Sequence, residues 1–140
     1  MATREIFVCE KDGGWTSAVR RFVHETVRVR ETRSLLECRD RLCEIRDAFV
    51  VLEVTRQSLS PVLSELVRLR PGVHRAPVAV VANRSLWRAE WSLREAGAVH
   101  VVFSPRRVNT LCHMALRHFC ARQAMERGCA AVVVSSDVTR

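Results

Sequence analysis

The chain has 140 residues, of which 48% are hydrophobic, enough for one domain with one core. No apolar run reaches the length of a membrane span, and the start MATREIFVCEKD lacks the charged lead and long apolar stretch of a signal peptide. The net charge is +8, carried by 22 arginines and a single lysine, Lys11. The arginines are spread along the chain, with only Arg20-Arg21 and Arg106-Arg107 adjacent and no basic tail. A solvated arginine-rich surface explains this more simply than a nucleic-acid footprint, which stays open as an alternative.

Five short apolar runs alternate with five amphipathic stretches. The first run is Ile6 to Cys9, followed by a helical stretch with Trp15, Val19, Phe22 and Val23 on one face. The second, Val27-Arg28-Val29-Arg30, alternates apolar and basic and fits an exposed edge strand. Leu35, Leu42 and Ile45 mark the next helix, and Ala48 to Leu52 the third strand. Leu59, Val62, Leu63 and Leu66 mark the third helix, with Ser60 as a candidate cap and Pro61 in the first turn. Val78 to Ala82 is the fourth strand. Trp87, Trp91 and Arg94 lie along the fourth helix, and Val99 to Phe103 is the fifth strand. Val108, Leu111, Cys112, Ala115 and Phe119 form the longest stripe. Gly72 and Gly97 stand where helices should stop. Residues 123–140 read as a tail, whose apolar piece Ala130 to Val134 extends a sheet, mediates association or stays disordered.

The continuous apolarity of the first, third, fourth and fifth runs is that of strands covered on both faces. Strict alternation of strand and helix predicts a doubly wound, flavodoxin-like α/β domain. Its sheet is five-stranded and parallel, in order 2-1-3-4-5, with helices on both sides.

The six cysteines are Cys9, Cys38, Cys43, Cys112, Cys120 and Cys129. They form no CxxC pair and mostly fall inside apolar segments, which suggests reduced, buried thiols in a cytoplasmic protein. Cys112, His113 and Cys120 lack a familiar zinc spacing, and the five histidines are scattered. Gly13-Gly14 lacks the spacing of a dinucleotide loop. No catalytic set, metal site or cofactor is expected.

Several local features, taken in order, resemble the receiver domain of bacterial response regulators, the CheY-like family. Glu10 follows the first strand and Glu53 ends the third, in VVLEV. Pro77 precedes the fourth strand, Glu95-Ala96-Gly97-Ala98 resembles the family's AGA turn, and Ser104-Pro105 stands where receivers have Lys-Pro. The resemblance covers Arg4 to Arg122, within a domain taken as residues 1–122.

In that family an acidic pair after the first strand and an aspartate on the third hold Mg²⁺ and accept a phosphoryl group. A hydroxyl on the fourth strand, a lysine on the fifth and an aromatic switch residue complete the set. The resemblance places Glu10, Lys11, Asp12, Glu53, Ala82 and Ser104 at the pocket positions and Val101 at the switch. Lys11 puts a cation where metal would bind, Glu53 is longer than aspartate, and Ala82 and Ser104 lack the hydroxyl and the ammonium. The expectation is a pseudo-receiver that binds a signalling partner or itself without Mg²⁺-dependent phosphorylation. A phosphorylatable but atypical receiver is the alternative. Lys11 is expected to pair with Glu53 across the neighbouring first and third strands. Alternatively, Glu10 and Asp12 only favour the first helix's N-terminus, and Glu53 is a solvated carboxylate. The family's usual contact face would carry Trp87, Trp91, Arg94, Val101, Arg106 and Arg107. The two tryptophans fit equally well into a core or an interface.

Overall fold

The computed structural model describes residues 4–23, 27–45, 47–69 and 76–138, with side chains described to residue 128. The helix stop expected at Gly72, and His24 and His74, lie outside these residues. Five parallel strands form one sheet in the order β2-β1-β3-β4-β5. They are β1 (Arg4–Cys9), β2 (Arg28–Thr32), β3 (Asp47–Val54), β4 (Val78–Ala82) and β5 (His100–Val102). The helices are α1 (Gly14–Phe22), α2 (Leu35–Leu42), α3 (Leu59–Arg68), α4 (Glu90–Ala96) and α5 (Val108–Val138). Short 3₁₀ turns, Arg84–Ala89 and Pro105–Arg107, lead into α4 and α5.

The strands are apolar on both faces because each face has its own core. Phe7, Val50, Leu52, Val78 and Val80 point to one side and pack with Cys38, Leu42, Val62, Leu66 and Leu93 of α2, α3 and α4. Ile6, Val8, Phe49, Val51 and Val81 point to the other and pack with Val19, Leu111, Cys112, Ala115 and Phe119 of α1 and α5. Each large side chain fully buried in this way contributes about 1.5–3 kcal/mol. The sheet order and both helical layers agree with the sequence reading. No helix among the described residues is long and apolar enough to cross a membrane.

Four local expectations change. Helix α1 buries Thr16, Ala18 and Val19, while Phe22 is half exposed, so its inner face is rotated from the expected one. Helix α3 starts one residue after Ser58, which occupies the cap position instead of Ser60. The Ser58 hydroxyl accepts from the Thr55 amide at 2.8 Å and so ties the turn that leads into the helix. Pro61 is the third helical residue, where the missing N–H would have had no intrahelical acceptor. Helix α2 ends at Leu42, so Ile45 packs on the core from beyond it. Helix α5 continues through the expected tail to Val138. A helix of its 31 residues is about 46 Å long.

Candidate functional site

The loops after β1, β3, β4 and β5 meet at the C-terminal edge of the sheet, around a cavity of about 700 Å³. Parallel topology creates this meeting, because every strand ends at the same edge. Asp12, Glu53, Ala82 and Ser104, which the resemblance assigned to one pocket, line the cavity together. Arg56, Arg84, Asn83 and Trp15 also line it. Sequence reasoning missed these four as site residues: Trp15 is in the first turn of α1, Arg56 follows β3, and Asn83 and Arg84 follow β4, with no local motif to join them.

Glu10 lies beneath this surface, only 3% exposed. Its two carboxylate oxygens accept hydrogen bonds from the Trp15 amide at 3.1 Å and the Thr16 amide at 2.9 Å. These are the second and third amides of α1, which have no acceptor inside the helix. Gly13, at a φ of 84°, makes the sharp entry that brings those amides back over Glu10. A side chain is strained at such a φ. Burial pushes the Glu10 carboxyl above its ordinary range. The Thr16 amide pulls it down, and the nearby Glu53 and Glu31 carboxylates push it up again.

Lys11 is exposed, and its backbone carbonyl accepts a hydrogen bond from the Arg33 guanidinium. No ion pair joins it to Glu53 among the described residues, which corrects the expected Lys11–Glu53 pair. Arg33 also pairs with Glu31 at 3.0 Å. The loop after β1 is thus fixed through its backbone, and the lysine side chain is not drawn across the strand ends.

Ala82 is 1% exposed and belongs to the core. The Ser104 hydroxyl accepts from the Arg106 amide at 3.3 Å and so caps the turn before α5. Mg²⁺ asks for several oxygen ligands in near-octahedral array. Here one of the three carboxylates nearest that edge is committed to helix amides. No group of three or more His, Cys, Asp or Glu side chains is placed to hold a metal ion among the described residues. These residues, as placed, do not fit a divalent cation.

The second group of predicted residues lies around α4 and β5. Trp87 and Trp91 are 62% and 72% exposed, which rules out the core placement that their spacing left open. The core side of this segment is taken by Leu86, Leu93 and Ala96. The Arg88 guanidinium lies 5.3 Å from the centroid of the Trp87 ring, and the Trp91 indole donates to Glu95 at 2.9 Å. Arg94 pairs with Glu90 at 3.0 Å. Arg94, Val101 and Arg107 line one groove of about 440 Å³ with Arg84 and His100. Val101 is only 6% exposed and packs in the core, so it forms the floor of that groove and not a projecting contact. Arg106 is exposed on the adjoining turn.

Two buried clusters were not foreseen. The Arg39 guanidinium donates to both oxygens of buried Glu65, at 3.2 and 2.6 Å, and ties α2 to α3. His118 Nε2 lies 3.2 Å from Asp47 Oδ1, with Arg122 at 3.8 Å, and ties α5 to the start of β3. Each joins residues far apart in sequence, which no spacing rule detects.

No family model matches this sequence, and no curated protein matches it either. Solved structures do share its fold. A response regulator from Thermotoga maritima superposes with a TM-score of 0.70 at 19% identity, covering 83% of this chain and 97% of that one. A CheY-like protein from Pseudomonas aeruginosa gives 0.63 at 12% identity, over 81% and 93%. A pilus assembly-related protein from Burkholderia pseudomallei gives 0.58 at 18% identity, over 83% and 91%. The chain therefore has the CheY-like receiver fold, in the flavodoxin-like class.

Proposed function

We propose that this chain is a non-catalytic signalling module with a receiver fold, which acts by docking and not by Mg²⁺-dependent aspartyl phosphorylation. The observation that carries the reading is the fate of Glu10. A metal-binding carboxylate must offer its oxygens to the pocket, and both Glu10 oxygens are bonded to α1 amides. The neighbouring residues support the same reading. Ala82 offers no hydroxyl, and the Ser104 hydroxyl is turned to the α5 turn. Phosphoryl transfer depends on positioned charge around metal and phosphate, and these groups do not supply it.

The docking face in this reading is the surface of Trp87, Trp91 and Arg94, with Arg106 and Arg107 beside it. Exposed tryptophan and arginine are the residue types that anchor interfaces, and here the rings are held out by an indole hydrogen bond and a stacked guanidinium. The partner is a second signalling protein or another copy of the chain. A cytoplasmic location agrees with the free thiols of Cys9, Cys38, Cys43, Cys112 and Cys120. Burial pushes the Cys38 thiol up to about 12 and that of Cys112 to about 11, which makes them poor nucleophiles.

The test is intact-mass analysis after incubation with acetyl phosphate and Mg²⁺. The reading expects no added phosphoryl group. Stoichiometric, acid-stable but hydroxylamine-labile phosphorylation at a carboxylate would overturn it.

A further inference from the structure

The free edge of β2 carries a basic surface at the opposite end of the sheet from β5. Among the described residues, strand β2 is bonded to β1 alone. The Thr32 carbonyl faces inward, where it accepts from the Glu10 amide at 3.1 Å. The Val29 carbonyl faces outward, where it accepts from the Arg20 guanidinium at 3.3 Å. Main-chain groups alternate sides along a strand, so the N–H groups of Val29 and Glu31 look out from the sheet.

Beside this edge runs a groove of about 280 Å³, lined by Arg20 of α1, Arg28 and Arg30 of β2, and Arg41 of α2. Among the described residues, Arg28 and Arg30 share one carboxylate, that of Glu5, which is 2% exposed and lies 3.0 Å from Arg30 and 3.8 Å from Arg28. Glu31 at the same groove is taken by Arg33. Arg20 and Arg41 make no ion pair among the described residues. Positive charge is therefore in excess along the outer edge of β2, which has no strand partner among the described residues.

We propose that this edge docks an extended acidic segment of a partner protein, which adds as a strand beside β2. Its main chain would bond to the outward groups of Val29 and Glu31, and its alternate carboxylates would meet Arg28, Arg30 and Arg41. Side chains two apart on a strand are separated by about 6.5 Å on both partners, so the charges stay in step. A second copy of this chain is disfavoured on the edge, because Arg28 and Arg30 would face their own counterparts. A nucleic-acid backbone would meet the guanidiniums but not a row of strand N–H groups. This surface is distinct from the tryptophan face and does not depend on it.

The experiment uses the full chain, ¹⁵N-labelled, and a synthetic decapeptide of alternating Glu and Val. Two further peptides carry N-methyl groups on all Glu or on all Val residues, and a single-stranded oligothymidylate matches the charge. The parent peptide should bind saturably and shift the Val29 and Glu31 amides most. One of the two methylated peptides should bind at least about tenfold more weakly, because a strand bonds through alternate amides. Arg41→Glu should weaken binding about tenfold, as loss of a charged anchor does. That residue is exposed on α2, and the substitution leaves the Glu5 ion pairs intact. The proposal is overturned if the parent peptide does not saturate, or if both methylated peptides bind as well as the parent. It is equally overturned if Arg41→Glu binds unchanged, or if the oligothymidylate binds more tightly than the peptide. Shifts centred on Trp87 and Trp91 would also contradict it.

Discussion

The Glu10 carboxylate and the Thr16 amide meet at 2.9 Å, so the acidic residue that follows β1 closes the N-terminus of α1. That bond links two statements about the molecule. It explains how a helix without a side-chain cap at Gly13 begins cleanly. It also removes one carboxylate from the edge where the strands end.

Glu10→Ala should therefore behave as the loss of a cap. The expected cost is about 1–2 kcal/mol of folding stability, measured by denaturant unfolding. Glu10→Gln should lose less. The pH dependence has a defined sign. Because the Glu10 carboxyl is raised in the folded state, its stabilising contribution is full below the ordinary carboxylate range. It is lost as pH rises through the folded value. The stability of the parent relative to Glu10→Gln should fall between pH 3.5 and pH 7, and a rise would contradict this placement.

The Asp47–His118 pair gives a second pH signature. Burial lowers the His118 pKa below 6.5, with the Asp47 carboxylate raising it and Arg122 lowering it further. The folded state then binds that proton less readily than the unfolded chain, so stability is lost as pH falls through about 6.5. Asp47 is raised by burial and works in the opposite direction at lower pH. The parent should lose stability from pH 7.5 to 5.5, and His118→Phe should lose less over the same interval. Equal slopes would show that His118 does not titrate in this environment.

The assignment of α4 is tested by contrast. Trp87→Ala and Trp91→Ala should each change stability by no more than about 0.5 kcal/mol, as surface substitutions do. Leu93→Ala should cost about 2–5 kcal/mol, because Leu93 is fully buried. If the tryptophan variants cost as much as the leucine variant, the rings are core residues.

Restoring the receiver residues should restore the chemistry. The combined variant Lys11→Asp, Glu53→Asp, Ala82→Thr and Ser104→Lys is expected to gain saturable Mg²⁺ binding, followed by the fluorescence of Trp15 at the cavity wall. Ala82 is buried, so the larger threonine should cost about 1–3 kcal/mol of stability. No metal response in a folded variant would mean that the pocket departs from the receiver pattern beyond these four positions.

The strands were legible in the sequence because a sheet covered on both faces leaves continuous apolar runs. The resemblance to receiver domains, not the periodicity, assigned Asp12, Glu53, Ala82 and Ser104 to one pocket, and all four line the same cavity. Orientation of single side chains was not legible. Lys11 is long enough to reach the end of β3, but reach does not set direction, and Arg33 fixes that loop by its backbone carbonyl. Trp87 and Trp91 share a face under any helical reading, and only the packing of Leu86 and Leu93 turns that face outward. Ala130 to Val134 is rich in β-branched residues, which hid the continuation of α5. Arg56 and Arg84 reach the cavity from separate loops, and Glu65 finds Arg39 across two helices. Such meetings depend on the tertiary fold, not on any local pattern.

The central claim is indifference to metal and phosphodonor, and a titration of ¹⁵N-labelled protein with Mg²⁺ and beryllium fluoride tests it most directly. The account predicts no saturable shifts at Glu10, Trp15, Thr16, Glu53 or Ser104 up to millimolar Mg²⁺. Saturable shifts at those amides, with release of the Thr16 amide from Glu10, would contradict it.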